Sequence, residues 1–499
     1  MADAVPERTA LATPERTLTY AQLEERANRL ANWLAAEGIG PGDHVGCYLY
    51  NGTEYAEAML AAFKLQAVPI NINYRYVADE LAYLFADAGV VAVVHEPAFA
   101  ERMPPVRVAL ARGDSYEAAL AGSTPDRPDV QRSGDDHYVV YTGGTTGRPK
   151  GVVWRHEDAF YACFGGGDYL RRNPITAPEE LLDRLMDQPL VFFPVAPMMH
   201  GAAQWTVFSW WFGGGTCLLS TSRPSTDYAE VWRLITEHEA NVVTIIGDAV
   251  ARPLIDEYRA QADRYDASSI FTFGSGAVPL SPAGRAELAE LFPNVIINDG
   301  YGSSETGAQA GNLGDGRFAP YDDETTVLDP GTLEAIKPGS GQEGRVARRG
   351  HIPLGYHADP EKTAATFVER DGERWVLTGD VATVLDDGTL QLFGRGSTCI
   401  NTGGEKVFPE EVEMTLVAHP DVYDALVVGL PDARWGERVA AVVAPVAGAS
   451  LGAEQLGQHC RASLAGYKVP RSFAFVGAVQ RSPAGKADYT WARQIAESA

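Results

Sequence analysis

The sequence predicts an α/β protein with a large N-terminal domain of mostly parallel sheets covered by helices. Within that domain it places a small β-rich subdomain, and after it a small mobile α+β C-terminal domain. Three observations carry this expectation. Helix-like and strand-like periods alternate over the first 130 residues, the alternation returns from about 190 to 300, and short strands with many Gly and Asp follow from about 310.

The elements follow in order. Thr19 is placed to cap a helix over 20–37, with Leu23, Ala27, Leu30 and Leu34 on one face and Gly38 and Gly40-Pro41-Gly42 closing it. A strand at Val45–Tyr50, a helix near 53–66, the strand AVPININ at 67–73, a helix near 78–88 and the strand VVAVVH at 90–95 give a βαβα rhythm. LVFFPV, TCLLS, NVVTII and NVIIN are the strands of the second region. EGRVARR, RWVLTGDVATVL and LQLFG belong to the β-rich segment at 311–395. GRGS at 394–397 reads as a hinge, followed by a helix near 409–418, strands DALVVGL and RVAAVVAPV, a helix near 453–464 and a polar tail. The expected division is 1–394, a hinge at 395–397, and 398–499.

Composition narrows the function. The 499 residues carry a net charge of −25 with 45% apolar residues, so a general nucleic-acid or anionic-membrane binder is disfavoured, and any anion must be held by local groups. Five scattered cysteines without CxxC spacing argue against a disulfide framework or a cysteine zinc site. No run approaches a membrane span, and the charged, proline-containing start does not resemble a signal peptide, so the expected location is cytoplasmic.

One segment carries chemistry. Tyr141-Thr142-Gly143-Gly144-Thr145-Thr146-Gly147-Arg148-Pro149-Lys150-Gly151 follows a strand-like HYVVY. Its glycines let backbone N–H groups approach an anion, its threonines add hydroxyls, and Lys150 adds positive charge, a composition suited to a nucleotide triphosphate. The spacing is neither Walker A nor GxGxxG, which removes the dinucleotide-dependent oxidoreductase; GxSxG and HExxH are absent as well, which removes the hydrolases those motifs mark.

This loop resembles the signature of the AMP-forming adenylate ligases: acyl- and aryl-CoA synthetases, adenylation domains and luciferases. Tyr301-Gly302-Ser303-Ser304-Glu305-Thr306, Leu377-Thr378-Gly379-Asp380, Gly394-Arg395, Asn401 to Glu413 and Arg481-Ser482-Pro483-Ala484-Gly485-Lys486 resemble the further motifs of that superfamily, in its order. GGTTGRPKGVVWRHED, GGGD and INTGGEKVFPEEVE look most like actinobacterial acyl-CoA synthetases.

The resemblance implies two half-reactions. A carboxylate attacks the α-phosphorus of ATP to give an acyl-adenylate and pyrophosphate, and CoA then displaces AMP. An amide bond synthetase, delivering the acyl group to an amine, is the alternative. By resemblance Thr142, Gly143, Gly144, Thr145, Thr146 and Lys150 cradle the phosphates, and Glu305 ligates Mg²⁺. Tyr301 stacks on adenine within the Tyr301-Gly302-Ser304 segment, Gly276, Ala277 and Val278 line the ring, and Asp299 is a candidate for its edge. Asp380 accepts from the ribose hydroxyls, Arg395 contacts ribose or phosphate, and Lys486 bridges the acid carboxylate and the α-phosphate. His200, Met199, Trp205, Gly274 and Ser275 are acid-pocket candidates. The glycine runs at 165–167 and 213–215 and GDA at 247–249 are small elements that would leave room for a bulky acid. Gly403, Gly404 and Glu405 line the acceptor channel, and Ser397 stands at the hinge where the family usually has Asp or Lys. The implied partners are a small carboxylic acid, ATP, and CoA or an amine, without nucleic acid; a homodimer is compatible. A non-catalytic nucleotide sensor would be expected to lose Lys486, Glu305 or Asp380, and all three are present. No carrier domain follows Lys486, so a self-contained nonribosomal module is not expected.

Overall fold

A computed structural model describes the protein except at residues 144–147, 169–172, 224, 277, 279, 313, 403–404, 433 and 482–485, and describes only the backbone at 395 and 397. The first helix, Tyr20–Ala36, forms where the capping pattern places it. The Thr19 hydroxyl accepts from Gln22 N–H at 3.3 Å and the Gln22 amide oxygen accepts from Thr19 N–H at 2.9 Å. That reciprocal cap satisfies two otherwise unpaired N–H groups and contributes about 1 kcal/mol. Leu23, Ala27, Leu30 and Leu34 are all buried on its inner face.

Seven strands form the first sheet, in the order Gly355–Tyr356, Lys150–Arg155, His137–Thr142, Val68–Asn71, His44–Tyr48, Val90–His95 and Val108–Ala111. The last five are mutually parallel; the first two join antiparallel. The long connection that brings Gly355–Tyr356 beside Lys150–Arg155 has a direct bearing on the site below.

The second sheet has a parallel half built on Thr9–Ala12, Thr216–Leu218, Val191–Pro194, Val242–Ile245, Thr272–Ser275 and Ile296–Ser303. Its strand Thr272–Ser275 was not among those expected. From Ile296–Ser303 the hydrogen bonding continues without interruption, antiparallel, through Gly307–Asn312, Arg317–Pro320, Leu390–Arg395, Glu373–Val384, Gly344–Arg348 and Thr325–Leu328. The β-rich segment is therefore a curling extension of the parallel sheet. Its strands bury side chains on both faces, Val327 and Val346 on one and Leu328 and Ala347 on the other.

The third sheet comprises Ile400–Thr402, Glu405–Val407, Gly436–Pro445, Val422–Asp432 and Ser472–Phe475, with its own cores formed by Val412, Leu416, Val427 and Val443 on one side and Leu426, Val442 and Ala492 on the other. The expected polar tail is in fact a strand, Ser472–Phe475, and a helix, Tyr489–Ser498. Asp488 caps that helix by accepting from Trp491 N–H at 2.9 Å, and Ala492 and Ala496, one turn apart, bury its inner face. All five cysteines are free, four of them buried, and among the described residues no helix is long and apolar enough to cross a membrane.

Candidate active site

The glycine- and threonine-rich segment is the turn of a β-hairpin. His137–Thr142 and Lys150–Arg155 pair antiparallel with Thr142 opposite Lys150, so the loop leaves and re-enters the sheet at neighbouring positions. A side chain at Gly151 would approach the Tyr141 ring at 2.8 Å, so glycine permits the hairpin to close. Asn71, unrecognised in the sequence, staples its base: its amide donates to the carbonyls of Tyr141 at 2.8 Å and Met199 at 2.7 Å, and its oxygen accepts from Tyr141 N–H at 2.7 Å. One buried amide thus ties the phosphate hairpin to the expected acid pocket. Gly143 is exposed at the hairpin tip, whereas Gly144, Thr145 and Thr146 lie outside the described residues.

Lys150, the first residue of the return strand, meets Glu305 across the cleft. Its Nζ lies 2.6 Å from Glu305 Oε1 and donates to the Tyr356 hydroxyl at 2.9 Å; that hydroxyl donates to the same carboxylate oxygen at 2.9 Å. The ammonium also sits 4.3 Å from the centre of the Tyr356 ring. Glu305 occupies a tight turn between Ile296–Ser303 and Gly307–Asn312 rather than a helix end. Gly302 makes that turn possible, because a side chain there would strike the Gly307 carbonyl. The buried Thr306 hydroxyl accepts from Ser303 N–H at 3.0 Å, and the Ser304 carbonyl accepts from the Trp154 indole at 3.0 Å, fixing the turn from both sides. Among the described residues no group of three or more His, Cys, Asp or Glu could hold a metal ion on its own. The Glu305 carboxylate, a hard oxygen donor beside the glycine-rich hairpin, fits the part of one protein ligand to Mg²⁺.

Beside this cluster, Tyr301 donates its hydroxyl to Asp380 Oδ2 at 2.7 Å. Asp380 projects from the strand Glu373–Val384, where its backbone pairs with Arg395, and its N–H donates to the Thr378 hydroxyl at 3.2 Å. Thr378 is in turn tied to the Val346 carbonyl at 2.9 Å. Gly274 and Ser275 run parallel to Asn298 and Asp299. The Ser275 hydroxyl accepts from Gly247 N–H at 3.0 Å and donates to the Val278 carbonyl at 3.2 Å, shaping the turn that contains Gly276. A side chain at Gly276 would meet nothing within 4 Å, so this backbone borders open space. Ala277 lies outside the described residues. Asp299 is only 4% exposed, with Oδ2 bound to Arg285 at 2.5 Å and Oδ1 without a partner among the described residues. Burial raises its pKa despite the opposing Arg285 charge.

On the acid side, His200 stands at the start of the helix Gly201–Phe212, and its Nε2 is shut from solvent with no partner among the described residues. Desolvation first, then the charges of Lys486 and Arg75, push its pKa down to about 3, so the imidazole is neutral at physiological pH. The charges of Lys486 and Arg75 thus bear on His200, the residue expected at the acid pocket. Met199 is buried beside His200, and Trp205 packs over Gly201, which a side chain would bring to 3.5 Å from the indole. Gln204 is buried between them, accepting from the Tyr138 hydroxyl at 2.5 Å and donating to the Met198 carbonyl at 2.7 Å. The glycines at 165–167 do not open space: side chains at Gly166 and Gly167 would press on Pro174 at 2.6 Å and Leu181 at 2.9 Å.

Lys486 itself is exposed, directly after residues 482–485 and beside an antiparallel bridge between Arg481 and Ala487. Arg481 makes a two-pronged ion pair with Asp424 at 2.8 and 2.7 Å, which holds the base of the loop to the third sheet. Ser397 lies in the single turn Gly396–Thr398 that joins the second sheet to the third, and Arg395 closes the preceding strand; their side chains lie outside the described residues. Glu405 is exposed at the start of Glu405–Val407, next to Gly403 and Gly404, which lie outside the described residues.

The chain resembles known proteins along nearly its whole length. The profile of AMP-binding enzymes matches residues 1–356, and that of the AMP-binding enzyme C-terminal domain matches 411–486. A 3-oxocholest-4-en-26-oate–CoA ligase of Rhodococcus rhodochrous is 46% identical over 522 residues, spanning 98% of this chain and 93% of that protein. A medium/long-chain-fatty-acid–CoA/3-oxocholest-4-en-26-oate–CoA ligase of Mycobacterium tuberculosis is 44% identical, spanning 99% and 94%. Among solved structures, ATP-bound MatB from Rhodopseudomonas palustris superposes with a TM-score of 0.83 at 26% identity, covering 99% of this chain and 97% of that one. A Mycobacterium tuberculosis fatty acyl CoA synthetase does so with a TM-score of 0.70 at 28% identity, covering 99% and 96%.

Proposed function

This chain belongs to the family of AMP-binding enzymes, and on that premise we propose that it is an acyl-CoA synthetase acting on large hydrophobic carboxylic acids, of the steroid side-chain or medium- to long-chain fatty type. It is an AMP-forming ligase that activates a carboxylic acid with ATP and passes the acyl group to CoA. The observation that carries this reading is end-to-end likeness at 44–46% identity to enzymes named as CoA ligases for such acids. It favours CoA over the amine acceptor, because the relatives reported above share that activity in their names.

The residues divide the work as follows. Mg²⁺ supplies charge neutralisation of the triphosphate, with Glu305 as its protein ligand. Lys150 exchanges Glu305 for phosphate oxygens when the nucleotide enters, so its ion pair with Glu305 is the contact that ATP replaces. Tyr301 covers the adenine, and Asp380 accepts from the ribose hydroxyls in place of the Tyr301 hydroxyl. Lys486 meets the acid carboxylate and the α-phosphate, offsetting the negative charge that grows at phosphorus during attack. A neutral His200 borders the acid without forming a competing ion pair. The turn 395–397 acts as the hinge between 1–394 and 398–499, and its rotation withdraws Lys486 and presents Gly403, Gly404 and Glu405 to the incoming thiol.

The test is pyrophosphate release with ATP and Mg²⁺ across aryl, fatty and steroid-type acids, followed by product mass with CoA and with simple amines. An acyl-CoA from a steroid or fatty acid is the expected result. An amide formed without thioester would move the acceptor to an amine, and exclusive turnover of small aryl acids would reject the proposed acid class.

A further inference from the structure

Tyr356 belongs to no motif used above, yet it touches both charged groups of the phosphate site. We infer that Tyr356 is a positioning residue for the magnesium–triphosphate end of ATP: its hydroxyl orients the Glu305 carboxylate, and its ring gives the Lys150 ammonium a place to rest when that carboxylate is taken by the metal. The inference rests on the acyl-CoA synthetase reading and extends it to a residue that acts through two others.

Four observations support it. The hydroxyl accepts from Lys150 at 2.9 Å and donates to Glu305 Oε1 at 2.9 Å, so one O–H is committed to the carboxylate that faces the nucleotide. Lys150 lies 4.3 Å from the ring centre and Lys362 lies 5.5 Å from it, which makes the ring a shared surface for two ammonium groups. Tyr356 is 8% exposed, and its backbone pairs with Val152 in the strand that begins at Lys150, so its place is set by the sheet that carries the phosphate hairpin. The Tyr356 N–H donates to the Thr363 hydroxyl at 2.9 Å, and a side chain at Gly355 would collide with Thr363, locking the residue against the helix Pro360–Thr366.

When MgATP enters, the Lys150–Glu305 pair must open. A lysine and a glutamate released into water would each lose orientation. The phenol keeps a hydrogen bond on the carboxylate and a π-face under the ammonium, so both arrive at the phosphates already aimed. A residue with this role affects binding of the triphosphate with its metal and leaves the nucleoside end untouched.

The experiment is equilibrium titration of the full-length protein and its Tyr356→Phe and Tyr356→Leu variants with MgATP and, separately, with AMP in EDTA. Loss of the hydroxyl is expected to weaken MgATP binding about 10-fold, the scale of a hydrogen bond to a charged group. Tyr356→Leu should weaken it further by removing the ring, and AMP affinity should stay within twofold throughout. Because Tyr356 acts through Glu305, Tyr356→Phe should cost much less in a Glu305→Gln background. Equal weakening of MgATP and AMP would reduce Tyr356 to general support of the fold, and unchanged MgATP affinity or strict additivity with Glu305→Gln would also overturn the inference. Wild-type protein that binds neither ligand would instead defeat the acyl-CoA synthetase reading on which the inference stands.

Discussion

Two lysines, Lys150 beside the glycine-rich hairpin and Lys486 after the third sheet, are held in contrasting ways. Lys150 lies on a sheet strand with its side chain 20% exposed, paired to Glu305 at 2.6 Å and resting on an aromatic ring. Lys486 is exposed, and Arg481, on the other side of residues 482–485, pairs with Asp424 at 2.8 Å. A group that meets its ligand in every state of the enzyme can be fixed in advance by partners the ligand later displaces. One that must serve the first half-reaction and then withdraw is better carried on an exposed loop of a separate sheet. Lys486→Ala should therefore produce the largest loss, about 10²- to 10³-fold in acyl-adenylate formation, the scale of removing one preorganised electrostatic contact. Transfer from supplied acyl-adenylate to CoA should be spared, and equal loss of both half-reactions in rapid-quench assays would remove the distinction between the two lysines.

The next effect belongs to the fixed side. Asp380 accepts from the Tyr301 hydroxyl at 2.7 Å, and Glu305 pairs with Lys150 at 2.6 Å. Asp380→Ala should raise KM for ATP by about 10-fold or more while kcat changes less, since it removes charge-assisted hydrogen bonds made to ground and transition states alike. An unchanged KM would dismiss the ribose contact. Ser397→Pro should slow thioester formation more than adenylation, because it would stiffen the turn proposed as the hinge. A mutant with both steps intact would place the hinge elsewhere.

The two sides also differed in how readily the sequence disclosed them. Lys150, Glu305, Asp380 and Lys486 were singled out because each lies in a contiguous run that resembles a motif of the superfamily. Tyr356 was not, since its partner Lys150 is 206 residues away and only strand pairing brings them together. Asn71 was hidden in the same way, reading as a polar position within an apolar strand. The parallel sheets were legible from alternating periods, but the continuity of the second sheet into the β-rich segment was not, because backbone pairing between distant strands leaves no local pattern. The last helix could have been found: Asp488 followed by Ala492, Ile495 and Ala496 is a capped stripe with helical spacing.

The smallest predicted effect tests whether the C-terminal sheet responds to pH as a unit of its own. Within it Glu413 accepts from Val427 N–H at 2.8 Å and from the Tyr489 hydroxyl at 3.4 Å. Burial first, and repulsion from Glu410 second, push its pKa up to about 8 from the usual 4.5. The folded protein then holds a proton that the unfolded chain releases above about 4.5. The stability from this group is complete below that pH and is lost as pH rises through about 8. His200 works in the opposite sense: its neutral form is favoured in the fold, so its contribution falls away as pH drops below about 6.5 toward 3. Thermal unfolding of the full chain between pH 5 and 9 should show a midpoint that declines as pH rises toward about 8 and levels above it, and Glu413→Gln should flatten that decline. A decline that persists in Glu413→Gln would assign the alkaline sensitivity to another group. The flattened profile would mean that the third sheet, to which Arg481 is tied through Asp424, depends on one neutral carboxyl.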